Sequence, residues 1–160
     1  GADEIDLVIP YQRLLDGDEA AVTGMVEAVR GACPQACLKV ILETGELKDS
    51  ALISRASELA IAAGADFIKT STGKVSVNAT LEAADIMLRT IRASRKRVGF
   101  KPAGGIATVS DADLYLRLAE TIMGPNWVMP STFRFGASGL LDDILAVLSG
   151  AASPRAATGY

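Results

Sequence analysis

Apolar residues in this chain cluster in five short runs, each followed by a longer stretch in which they recur at helical spacing. The runs at 4–10, 38–43, 66–71, 98–103 and 132–136 read as strands. The stretches at 18–31, 49–63, 79–94, 111–123 and 139–148 read as helices, several with acidic or Ser/Asn residues at their starts, where they suit a helix N-terminus. Strict alternation of strand and helix implies a parallel sheet with right-handed crossovers. Two architectures fit five consecutive βα units, a doubly wound sheet and part of a (β/α)8 barrel.

Strand parity chooses between them. Successive strand residues point to opposite faces. In the first strand Ile5, Leu7 and Ile9 oppose Glu4, Asp6 and Val8, and in the second Leu38, Val40 and Leu42 oppose Lys39, Ile41 and Glu43. The third sets Ile68 and Thr70 against Phe67, Lys69 and Ser71. The fourth sets Val98 and Phe100 against Gly99, Lys101 and Ala103, and the fifth Phe133 and Phe135 against Arg134 and Gly136. Each strand has one largely apolar face and one carrying an ionisable group. A doubly wound sheet is covered by helices on both faces and needs both apolar. A barrel is covered only outside, so the parity favours a partial (β/α)8 TIM barrel with Asp6, Lys39, Glu43, Lys69, Lys101 and Arg134 pointing inward.

Length and composition fit this. The chain has 160 residues, 49% hydrophobic and 22% charged, enough for one domain with a core. Residues 1–150 form the expected barrel domain and 151–160 a small-residue-rich, flexible tail ending in Tyr160. Gly-Ala-Asp occurs at 1–3 and again at 64–66, where Gly64 stops a helix just before a strand. By analogy Gly1 reads as the end of a preceding helix, so the chain is expected to start part-way through its architecture. A net charge of −3 gives no basic surface for nucleic acid. Arg55, Glu58 and Asp66 interrupt the longest apolar stretch, so no membrane span is expected, and the N-terminus shows no signal segment. Cys33 and Cys37 are expected to be free thiols in a reducing cytoplasm. With no histidine and no other cysteine in the chain, a zinc site is not expected, and any histidine-based catalytic apparatus is excluded. Acid–base chemistry falls to Asp, Glu, Lys, Tyr or Cys.

Lys69 and Lys101 stand near the C-terminal ends of their strands on the inward face, the end where barrel enzymes place their active sites. Two ammonium groups brought close repel, which lowers a pKa, and a neutral lysine can form a Schiff base with a carbonyl. With an inward Asp6 for proton exchange they make an aldolase-type constellation, against the alternative of structural ion pairs in the lumen. Three loops offer anion-binding chemistry: Thr72-Gly73-Lys74, Ala103-Gly104-Gly105, and Gly136-Ala137-Ser138-Gly139, the last opening a helix. Each alone suits a tight turn equally well.

The motifs Ala2-Asp3-Glu4-Ile5-Asp6, Leu38-Lys39-Val40-Ile41-Leu42-Glu43-Thr44-Gly45-Glu46-Leu47, Gly64-Ala65-Asp66-Phe67-Ile68-Lys69-Thr70-Ser71-Thr72-Gly73-Lys74, Gly99-Phe100-Lys101-Pro102-Ala103-Gly104-Gly105 and Phe133-Arg134-Phe135-Gly136-Ala137-Ser138, with the terminal tyrosine, resemble deoxyribose-phosphate aldolase. This family of class I aldolases on a (β/α)8 barrel reversibly cleaves 2-deoxy-D-ribose 5-phosphate to D-glyceraldehyde 3-phosphate and acetaldehyde, without metal or organic cofactor. The resemblance implies Lys69 as Schiff-base nucleophile and Lys101 as the neighbour that lowers its pKa. It implies Asp6 as proton-relay carboxylate and Tyr160 as an aid to protonating the enamine carbon. Thr70, Gly73, Lys74, Gly104, Gly105, Ser138 and Gly139 would face substrate and phosphate, Gly139 through its main chain where some relatives carry a second serine. The implied partners are a phosphorylated sugar and an aldehyde, with a homo-oligomer left open, in the cytoplasm. Relative to this family the first three βα units are not in the chain. The alternatives are an inactive phosphate-binding fragment and a class I aldolase acting on another phosphorylated sugar.

Overall fold

The computed structural model describes residues 1–151. The elements run β1 (Glu4–Val8), α1 (Tyr11–Leu15), α2 (Glu19–Ala32), β2 (Cys37–Ile41), α3 (Thr44–Leu47), α4 (Ser50–Ala62), β3 (Phe67–Lys69), α5 (Leu81–Ser94), β4 (Gly99–Lys101), α6 (Val109–Met123) and α7 (Leu140–Leu148). The four strands pair in parallel in the order β1-β2-β3-β4. The expected fifth strand is present only as a thinner attachment. Residues 132–136 lie alongside β4 through parallel bridges at Phe100–Phe133 and Ala103–Gly136, without a continuous ladder. Hydrogen bonds from Phe100 N–H to the Thr132 carbonyl and from Arg134 N–H to the Phe100 carbonyl hold it there.

The five expected helices are α2, α4, α5, α6 and α7. Their starts are set by local chemistry. Asp18, Asp49 and Thr80 each accept a backbone N–H from the first turn of α2, α4 and α5. Thr108 and Asp111 form a reciprocal capping box on α6, which moves its start ahead of the expected Asp111. The single-turn helices α1 and α3 were not expected, because four or five residues are too few to show a helical period.

The apolar strand face packs under the helices. Leu38, Val40, Leu42, Ile68 and Phe100 are at most 2% exposed, against Val22 and Val26 of α2, Ala56 and Ala60 of α4, and Ala84, Met87 and Leu88 of α5. The other face carries Asp6, Lys39, Lys69 and Lys101. That face is concave. In a flat sheet β1 and the 132–136 segment, four strand spacings apart, would be about 19 Å from one another. Arg134 nevertheless reaches Glu4 with Nη1–Oε1 at 2.6 Å, so the sheet curls around the charged face. The architecture is an incomplete α/β barrel. Leu141, Leu145, Val147 and Leu148 of α7 lie exposed.

Phe100 sits at the centre of the packed face and meets Phe133 edge-on, with ring centroids 5.9 Å apart. Replacing it with Ala removes the ring contact with Phe133 and empties a site in the core, while the main-chain hydrogen bonds to the fifth segment stay. We expect Phe100→Ala to cost about 3–5 kcal/mol in urea unfolding, and Leu141→Ser on the exposed face of α7 to change stability by less than about 0.5 kcal/mol.

Candidate active site

The sheet register places the charged groups. Asp6 is in register with Lys39, Ile41 with Lys69, and Lys69 with Lys101. Directly paired residues on neighbouring parallel strands share a face about 4.8 Å apart, so the two lysines singled out in the sequence are side by side by construction. The short strands β3 and β4 both end on these lysines. Their ammonium groups therefore stand where backbone pairing gives way to loops.

One carboxylate gathers them. Asp6 Oδ2 lies 2.7 Å from Lys69 Nζ and 3.8 Å from Lys101 Nζ, and Oδ1 lies 2.9 Å from Lys39 Nζ. Lys39 also pairs with Glu4 Oε2 at 2.8 Å, and Glu4 pairs in turn with Arg134. Burial works to raise the Asp6 pKa, but hydrogen bonds from Lys69 and Lys39 outweigh it and hold the carboxyl at about 2. Burial likewise works against the Lys39 ammonium, yet its bonds to Glu4 and Asp6 raise its pKa. Lys101 goes the other way. Burial lowers its pKa, Lys69 and Lys39 add to that, and Asp6 only partly opposes it.

Beside this network opens a cavity of about 500 Å³ at the C-terminal end of the strands, lined by Lys69 and by all three glycine-bearing loops. Gly73, Lys74, Gly104, Gly105, Ser138 and Gly139 all border it, so the structure brings together the residues expected to form an anion cradle. Gly104, at φ +84°, could not be replaced cheaply, since a Cβ there would lie 2.7 Å from Cβ of Asn78. Gly136 is pressed against Ala103 in the same way, with a Cβ meeting the Ala103 Cβ at 2.6 Å. These contacts bring the loop after β4 close to the loop after β3 on one side and to the 132–136 segment on the other. Gly139 is the N-cap of α7, so the cavity also meets a helix N-terminus.

Two expected residues are placed otherwise. Thr70 is fully buried and does not border the cavity. Its Oγ1 accepts the Ala103 N–H at 3.0 Å, which ties the end of β3 to the loop after β4. Strand parity explains this, because Thr70 shares the apolar face with Ile68. Glu43, expected among the inward charges, is 2% exposed and lies beyond the end of β2. It adopts φ +57°, and its carboxylate meets the Thr72 N–H rather than the lysines. Tyr160 lies outside the described residues.

Lys39 was legible as an inward residue but not as a partner of Asp6, and Asn78 of the cavity lining carried no signal in the sequence. A cavity of about 600 Å³ between α4 and α5 is lined mainly by apolar groups and gathers no comparable cluster. Cys33 and Cys37 are both free thiols. Among the described residues no three His, Cys, Asp or Glu side chains are grouped to hold a metal ion, and no helix is long and apolar enough to cross a membrane.

Comparison with known proteins places the chain among aldolases. A curated deoxyribose-phosphate aldolase from Agrobacterium fabrum (strain C58 / ATCC 33970) is 74% identical over 161 residues, covering all of this chain and 62% of that protein. The chain thus spans about three-fifths of the length of that relative. A solved structure from Coccidioides immitis, provisionally described as a deoxyribose-phosphate aldolase, superposes with a TM-score of 0.81 at 31% identity over 92% of this chain and 53% of its own. The deoxyribose phosphate aldolase of Aeropyrum pernix, described as a unique tetramer, gives a TM-score of 0.71 at 26% identity over 93% of this chain and 56% of its own. Residues 1–145 match the family described as DeoC/LacD family aldolase, and the chain belongs to that family.

Proposed function

We propose that this chain carries the active site of a class I aldolase that reversibly cleaves 2-deoxy-D-ribose 5-phosphate to D-glyceraldehyde 3-phosphate and acetaldehyde. The observation that carries this reading is the position of Lys69. Among the described residues of the Asp6 network it is the one that also borders the cavity, with the glycine loops opposite. A carbonyl carbon entering that cavity meets the Lys69 amine, and a phosphate on the same substrate meets Lys74, Ser138 and the main chain of the loops.

The steps follow from these positions. The Lys69 amine adds to the C1 aldehyde of the open-chain sugar, and loss of water gives the protonated imine. The C3 hydroxyl gives up its proton, the C2–C3 bond breaks, and its electron pair moves into the imine to form an enamine. Glyceraldehyde 3-phosphate leaves. Protonation at C2 and hydrolysis of the imine release acetaldehyde and restore Lys69. Asp6 is ionised at neutral pH and anchors the ammonium groups, and the resemblance gives it the part of a relay through which protons pass between them. Lys101, whose lowered pKa brings its neutral form closer to the working range, is the group suited to passing protons to and from Lys69. Tyr160 is retained in the role that the resemblance implies for it, protonation at the enamine carbon. A cytoplasmic setting and assembly into a homo-oligomer complete the reading, the latter supported by the tetramer described for the Aeropyrum pernix relative.

Substitution tests the assignment of the nucleophile. In this chain, and in the chain completed by the part of the Agrobacterium relative that it does not cover, cleavage of deoxyribose 5-phosphate should exceed that of fructose 1,6-bisphosphate. Lys69→Ala should abolish it, while Lys74→Ala should raise KM with a smaller effect on kcat. A preference for fructose 1,6-bisphosphate would assign the site to another phosphorylated sugar, and retained turnover in Lys69→Ala would remove the lysine from the chemistry.

Acid stability tests the network. The folded Asp6 pKa of about 2 lies below its ordinary 3.8, so its ion pairs contribute stability above about pH 4 that is lost as pH falls through about 2. Unfolding followed by circular dichroism should show this loss in the unmodified protein and a shallower one in Asp6→Asn. Glu4, also held at about 2 by Arg134 and Lys39, accounts for a remaining part. Identical acid profiles for the two proteins would show that Asp6 is not held by the lysines.

A further inference from the structure

Glu43 presents a problem that the proposed chemistry does not use. It is a carboxylate 2% exposed at the C-terminal end of β2, and among the described residues no basic side chain pairs with it. Its backbone stands at φ +57°, ψ +56°, the left-handed region that costs any residue other than glycine. A buried carboxylate without a cation and a strained backbone are each unfavourable, and together they point to a role that another residue type would not fill.

The hydrogen bonds show where that role acts. The Leu42 N–H donates to the Lys69 carbonyl and the Thr44 N–H to the Thr70 carbonyl, so the chain on either side of Glu43 is clamped to the end of β3. Between these clamps the Glu43 Oε1 accepts the Thr72 N–H at 3.1 Å. Thr72 Oγ1 in turn accepts the Lys74 N–H at 3.1 Å. Thr72, Gly73 and Lys74 all border the cavity, and the Glu43 carboxylate lies behind them. A charge-assisted bond to the first link of this chain fixes the loop more firmly than a neutral acceptor would. The left-handed turn at Glu43 is what carries the side chain off the strand direction and toward Thr72.

We infer that Glu43 is a positioning residue for phosphate recognition: it holds the Thr72–Lys74 loop in the shape that presents Lys74 and the Gly73 main chain to the phosphate, and so sets the preference for phosphorylated over unphosphorylated substrates. This rests on the aldolase reading above, and it assigns Glu43 no contact with the reacting carbons. The role is independent of the Schiff-base step, because Lys69 is held by Asp6 and the sheet register and not by this loop.

The test compares deoxyribose 5-phosphate with unphosphorylated deoxyribose in the chain completed as above, unmodified and as Glu43→Gln, which keeps size and an acceptor oxygen but removes the charge. The expected result is about a tenfold rise in KM for the phosphorylated sugar, the scale of one charge-assisted hydrogen bond. Its kcat should stay within about twofold, and kcat/KM for deoxyribose should not change. Glu43→Ala should enlarge the effect. Thr72→Val, which cuts the second link, should raise the same KM and gives a reading if the Glu43 variants do not fold. Calorimetric titration with inorganic phosphate supplies a readout that does not depend on turnover, with binding weakened in Glu43→Gln by a similar factor. Equal losses on both sugars, or unchanged KM and phosphate affinity, would overturn the inference. An inactive unmodified protein whose phosphate affinity still falls in Glu43→Gln would instead count against the aldolase reading and leave the role of Glu43 in place.

Discussion

The Asp6 carboxylate is the interaction on which the rest of this site depends. Three ammonium groups project from adjacent strands into one concave space, and the sheet register leaves Lys69 and Lys101 no other place to be. Like charges about 4–5 Å apart at a protein surface repel by several kcal/mol. Asp6 contacts all three lysines, and Glu4 takes a share of Lys39. The arrangement is visible in the pKa values. Asp6 is driven down to about 2, Lys39 is pushed up, and Lys101 is left with the lowered value. One carboxylate thus holds together charges on neighbouring strands that would otherwise repel one another.

The sheet and the loops divide the work. The strands place Lys69 and Lys101 side by side through backbone register. The glycine loops and the start of α7 shape the far side of the cavity, where close main-chain approach matters more than side-chain identity, as the contacts at Gly104 and Gly136 require. Thr70 and Glu43 join the two systems from behind. One ties β3 to the loop after β4, and the other reaches from the end of β2 to the loop after β3.

Much of the fold was legible because barrel strands carry two distinct faces. The alternation of Ile5-Asp6-Leu7 and Leu38-Lys39-Val40 announces an apolar outside and a charged inside without any long-range information. What escaped was set by features that have no period. The short helix α3 depends on a left-handed turn at Glu43, and no pattern in the sequence distinguishes that glutamate from one facing the lumen. Thr70 was assigned to the phosphate with its neighbours in the motif, although its parity with Ile68 already put it on the packed face. That burial lowers the pKa of Lys101 was not legible, because depth inside a curled sheet is a tertiary property. The fifth strand was recognisable in composition, yet it pairs through separate bridges, since Arg134 is drawn across the lumen to Glu4.

The central claim is that Lys69 is the covalent catalyst. Incubation with acetaldehyde followed by borohydride reduction fixes an imine as a stable secondary amine, and peptide mass spectrometry locates it. The account predicts an N-ethyl group on the peptide containing Lys69, absent from the peptide containing Lys101, and lost when Lys69 is replaced by Ala. A modification carried on Lys101 instead, or no adduct on the Lys69 peptide in the completed chain, would contradict it.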